Sequence, residues 1–134
     1  MQFDNNIPIY LQIADLIRRQ IVSGELSSGS KIPSVRELAV SLKVNPNTIA
    51  RALAELEDEK LIFTERTNGK FVTNDNKIIV RIQQRLAVTT TETYLQNMQA
   101  LGLSQEQIIE CINNSKGGKP MRQRANFKMR GGKK

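Results

Sequence analysis

A chain of 134 residues can hold one ordinary domain with an appendage, but not two full-sized cores. The lone Cys111 excludes an internal disulfide framework, the absence of His excludes a recognisable zinc cluster, and 4% aromatics without Trp argue against an aromatic ligand cage, so no metal or cofactor is expected. The formal charge of +7 is uneven: residues 1–76 carry nine Lys/Arg and ten Asp/Glu, residues 77–113 carry three of each, and residues 114–134 carry eight basic groups and no acid, which puts the whole basic excess in the tail.

From Pro8, the apolar residues Ile9, Ile13, Leu16, Ile17 and Ile21 recur at three- and four-residue spacing, predicting an amphipathic helix that ends near Ser23-Gly24. A polar loop, SGELSSGSKIP, follows. Ser34 and Glu37 form an S-x-x-E capping box for a short second helix with Leu38, Ala39 and Leu42 on its apolar side. Asn45-Pro46 is an N-cap followed by a first-turn proline, and opens a third helix that ends at Asp58-Glu59-Lys60. Its buried side is Ile49, Ala52, Leu53 and Leu56. A rotation of about 100° per residue then turns Asn47, Arg51 and Asp58 outward, with Thr48 at the flank.

The β-prone runs at 61–65 and 70–74, joined by Arg66-Thr67-Asn68-Gly69, predict a hairpin. Helix, helix, tight turn, helix and hairpin is the order of a winged helix-turn-helix. A helical pattern returns over 77–101 with a β-branched weak point at Thr89-Thr90-Thr91, where a kink or fray is expected. Gly102 stops it. Ser104 and Gln107 cap a last helix through Ile112, stapled by Leu103 and Ile108. From Ser115 onward there is no apolar period, and the sequence reads as a disordered basic tail. The fold class is therefore mainly α with a small β-hairpin: a winged helix over 1–76, a two-helix dimerisation segment over 77–113, and the tail over 114–134.

Several spaced elements, PIYxQI, GxL, PSVRELA, VNPNT and the GxFV of the hairpin, together make residues 7–73 resemble the DNA-binding domain of the GntR family of bacterial regulators. VNPNT and a tail of only two helices are similar to the YtrA-type subfamily, whose members are dimers without a large effector domain. The resemblance implies a cytoplasmic transcription regulator, a repressor, that binds double-stranded DNA as a homodimer on an inverted-repeat operator. Where family members with well-understood contacts carry extra arginines in the first turn of the third helix, this chain has Pro46 and Ala50.

The expected DNA-binding residues are Arg36, Asn45, Asn47, Thr48, Arg51, Asn68, Gly69 and Lys70, which suit phosphates and base edges. Most have a plainer reading, and for Asn47 and Thr48 it is a capping or solvent group. Arg36 is a solvated helix-end charge, Arg51 pairs with Glu55 one turn on, Asn45 serves as a cap before it reads any base, and Lys70 shields an edge strand. The expected dimer interface is Ile82, Leu86, Tyr94, Leu95, Met98, Ile108 and Ile112, with Cys111 as a small core residue. There is no nucleophile motif, Gly-rich phosphate loop or carboxylate pair, so no enzymatic activity is expected. Nor is there a secretion signal or membrane span. A small-molecule effector stays open. The rival reading is a winged-helix interaction module that docks protein, with the basic tail engaging RNA or an acidic partner.

Overall fold

In the computed structural model, which describes residues 2–115, the element order is α1 (Ile9–Val22), α2 (Val35–Leu42), α3 (Pro46–Asp58), β1 (Ile62–Glu65), β2 (Gly69–Val72), α4 (Asn76–Ala100) and α5 (Gln105–Asn114). The expected tail, from Lys116 onward, lies outside the described residues.

The helix starts follow from their caps. Ser34 Oγ accepts the Glu37 amide at 3.1 Å while the Ser34 amide donates to Glu37 Oε1 at 2.8 Å, the reciprocal box its spacing predicts. Asn45 Oδ1 accepts the Asn47 amide at 2.7 Å, and Pro46 occupies the first position of α3, where a missing N–H costs nothing. Between these helices Lys43 adopts a left-handed φ of 59°, and Val44 N–H reaches back to the Ala39 carbonyl at 3.1 Å, which makes the turn tight.

The hairpin pairs Ile62 with Val72 and Phe63 with Phe71, whose rings stack with centroids 5.9 Å apart. Its second edge is not bare. Gly29 N–H donates to Val72 O at 3.0 Å, Val72 N–H to Ser30 O at 2.9 Å and Ile32 N–H to Lys70 O at 2.8 Å. Part of the stretch read from sequence as a polar loop therefore covers β2 and protects that edge.

The core joins Ile13, Ala14, Ile17 and Ile21 of α1 to Ala39 of α2, to Ile49, Ala52, Leu53 and Leu56 of α3, and to Ile32, Leu61, Ile62 and Val72. Ile9, expected in the α1 stripe, is instead 42% exposed. Arg18 is buried too. It forks onto Glu59 through Nε at 2.9 Å and Nη2 at 2.8 Å, so the buried charge is matched by a carboxylate.

The described residues fall into two compact units whose division differs from the boundary read at 76/77. The first compact unit runs to Leu86 and the second begins at Ala87, rather than at 77, because the N-terminal part of α4 is packed on the winged-helix core. Ile79 and Ile82 are buried there, Leu86 packs against the core, and Gln83 Nε2 donates to the Val22 carbonyl at 3.2 Å. Ile82, at 3% exposure, thus belongs to the core of the first unit, and Leu86, half-buried, packs against that core, although both were expected from sequence at the dimer interface. The stripe showed that they would be buried; it did not show against what.

In the second unit α4 continues unbroken through Thr89-Thr90-Thr91, all exposed, so the expected weak point is not a kink. Ser104 and Gln107 form the expected capping box. Ile108 is buried within this unit, Leu95 and Met98 are half-buried, and Tyr94 and Ile112 are exposed. Cys111, expected in a core, is exposed as well. No helix among the described residues is long and apolar enough to cross a membrane, and none of their His, Cys, Asp or Glu side chains group to hold a metal ion.

Candidate nucleic-acid interface

Arg36 is the second residue of α2, fixed there by the Ser34–Glu37 box. It is exposed and makes no hydrogen bond or ion pair among the described residues. A cation in the first turn of a helix faces the positive end of the helix dipole, so nothing local favours the charge at this place. Glu37 next to it is held below the ordinary carboxylate range by hydrogen bonds from the Ser34 amide and hydroxyl, with Lys31 adding a smaller attraction.

On α3, Asn47 and Arg51 are exposed and Thr48 is half-buried. The side-chain oxygen of Asn45 is committed to the cap, as its plainer reading held. Arg51 does not pair with Glu55. Its guanidinium carbon lies 3.9 Å from the centroid of the Tyr10 ring at the start of α1. Pro8, Ile9, Tyr10, Asn47, Thr48 and Arg51 line one open concavity, which brings α1 and the leading turns of α3 into a single surface.

The hairpin loop carries exposed Arg66, Thr67 and Asn68. Gly69 has a φ of 99°, which favours glycine, and a Cβ there would meet Lys31 Cε at 3.1 Å. The exposed Lys31 thus lies across the wing backbone. Lys70, expected to face DNA, has local partners on α3 and β1. Its Nζ sits 2.8 Å from Glu57 Oε1 and 2.8 Å from Thr64 Oγ1, while Thr64 donates to Glu57 Oε2 at 2.6 Å. This knot fastens both strands to the last turn of α3.

The structure therefore groups Asn47, Thr48 and Arg51 with Tyr10, keeps Asn45 at the cap of α3, sets Gly69 against Lys31, leaves Arg36 free on α2, and ties Lys70 to Glu57. Tyr10 and Lys31 were missed by sequence reasoning. The signals were a Tyr in PIY at a helix start and a Lys before the Ile-Pro that leads into α2, but each acquires its neighbour only through tertiary contact.

The knot gives a prediction. Hydrogen bonds from Lys70 and then Thr64 hold the Glu57 carboxyl below its ordinary range of about 4.3 in the folded state. Its stabilisation is therefore present above that range and is lost as pH falls through the lower folded value. Glu57→Gln should be less stable than wild type at neutral pH, with the gap closing below about pH 4. Denaturant titrations across the acid range check this, and a gap independent of pH would contradict it.

Residues 9–72 match the model of the bacterial regulatory proteins, gntR family. The chain is 41% identical over 118 residues to the HTH-type transcriptional regulator YhcF of Bacillus subtilis, covering 87% of this chain and 98% of that protein. It is 32% identical over 121 residues to the HTH-type transcriptional repressor YtrA of the same organism, covering 86% and 92%. A solved GntR family transcriptional regulator from Listeria monocytogenes is 43% identical, with a TM-score of 0.76 over 83% of this chain and 97% of that one.

Proposed function

The chain belongs to the GntR family of bacterial regulatory proteins, DNA-binding transcription regulators rather than enzymes, and on that premise we propose that it represses transcription by binding an inverted-repeat operator as a homodimer. The observation that carries the DNA-reading face is that Arg36 and Arg51 stand exposed on the two helices of the helix-turn-helix with no carboxylate partner among the described residues. Arg18 and Arg19, by contrast, are paired with Glu59 and Asp15. Asn47, Thr48 and Arg51 reach base edges, Arg36 a phosphate or a guanine edge, and Asn68, Gly69 and Lys31 a flanking phosphate. Lys70 serves by holding the wing in place. The repressor sign is supported by the name of the YtrA relative. Access to duplex DNA places the protein in the cytoplasm.

Selection of binding sites from a random-sequence duplex pool tests the reading. It should enrich an inverted repeat, because a two-fold dimer presents two identical reading faces. Enrichment of no sequence, or of a lone half-site, would contradict it.

The dimer is assigned to the second unit, where Tyr94, Leu95, Met98 and Ile112 remain accessible and a pair of helices buries too little surface to be stable alone. Light scattering should give a dimer for wild type at micromolar concentration and a folded monomer for Leu95→Asp and Met98→Asp. Variants that remain dimeric would move the interface elsewhere.

A further inference from the structure

We propose that Tyr10 positions Arg51 for sequence readout, so that the start of α1 is part of the recognition apparatus although it does not itself enter the groove. The proposal rests on the reading of α3 as the DNA-reading helix. Three observations carry it. The Arg51 guanidinium lies over the Tyr10 ring at 3.9 Å. Glu55, one helical turn further on and half-buried, does not capture it, although an Arg and a carboxylate four residues apart on a helix are natural partners. Tyr10 shares its concavity with Asn47 and Thr48, the other polar groups at the leading end of α3.

The chemistry of the contact explains why a ring is better suited here than a carboxylate. An aromatic face attracts the cation through its quadrupole, but offers no lone pair, so the N–H donors of the guanidinium stay free for another acceptor. A carboxylate would take two of them in a fork and would have to be displaced before the arginine could bind DNA. The ring also restricts the rotamers of a long side chain before binding, which lowers the ordering cost of a planar, two-donor contact to a guanine edge. The phenol hydroxyl has no part in this, so Phe should replace Tyr.

The test is a double-mutant cycle on the full chain, using the duplex enriched from the random pool and duplexes with single base pairs changed. Tyr10→Leu should weaken binding to the enriched duplex roughly two- to tenfold. It should also reduce discrimination at one base pair per half-site, the same pair at which Arg51→Ala loses discrimination. Tyr10→Phe should restore both, and in an Arg51→Ala background Tyr10→Leu should have no further effect. Equal losses from Tyr10→Leu in both backgrounds, or wild-type binding by Tyr10→Leu, would overturn the positioning role. Wild-type binding by Arg51→Ala would instead overturn the reading of α3 on which it depends. Thermal unfolding of each variant identifies any loss that comes from an unfolded domain, and Tyr10→Phe keeps the comparison open if Tyr10→Leu does not fold.

Discussion

Arg36→Ala and Arg51→Ala are each expected to cost about 1 to 3 kcal/mol of operator binding, roughly five- to 150-fold in affinity, while the fold stays intact. Both side chains are exposed, so truncation opens no cavity and strands no buried charge. Arg36 offers a sharper signature. Its charge sits in the first turn of α2, at the positive end of the helix dipole, so its removal should leave stability unchanged or raise it by a few tenths of a kcal/mol even as binding weakens. If Arg36 contacts phosphate, its loss also lowers the salt slope by about one, and all sequences suffer alike; loss of a base contact at Arg51 falls on particular base pairs. Titration of operator and mismatched duplexes at several salt concentrations separates these. Wild-type affinity in both variants would remove the proposed reading face.

Leu56→Ala should produce the opposite pattern, a large loss of stability with the reading face unaltered. Leu56 is fully buried on the inner side of α3, among Ile13, Ile17, Leu53 and Leu61 in the shared core. Truncating a leucine in such a place removes transfer free energy and leaves a cavity, together about 2 to 5 kcal/mol. Each kcal/mol lowers Tm by about 4 to 8 °C in a domain of this size. Well below that temperature, operator affinity should remain near wild type, because none of the exposed groups on α2, α3 or the wing is touched. A calorimetric loss below about 1 kcal/mol would mean that the core around α3 is not closed as described.

The features legible in the sequence are those written in local chemistry. Ser34 with Glu37, Asn45 with Pro46, and Ser104 with Gln107 announce helix starts because a cap is completed within three residues. The hairpin is legible for the same reason. What the sequence conceals is the partner in every non-local contact. Residues 29–32 look like a polar loop because the contact that covers β2 runs through backbone hydrogen bonds, which no side-chain pattern announces. Ile82 and Leu86 carry the apolar period of α4, but the period is the same whether the helix lies on its own domain or on a second copy. The charged groups follow suit. Arg51 could be seen to compete between DNA and Glu55, whereas its actual neighbour, Tyr10, lies on another helix. Lys70 could be placed on the wing, but its attachment to Glu57 depends on how the hairpin folds back on α3.

Sequence-specific recognition of duplex DNA is the centre of this account, and the ratio of two affinities tests it most directly. The full chain is titrated at one fixed, near-physiological salt concentration against the duplex enriched by selection and against a duplex of the same length and composition in scrambled order. Holding salt constant keeps the sequence-independent attraction of Lys and Arg to phosphate equal in both arms. The account predicts binding to the enriched duplex at least about a thousandfold tighter, as base-edge contacts from two half-sites should give. Equal affinities would show an electrostatic association with any polyanion and would contradict the assignment of α3 as a reading helix.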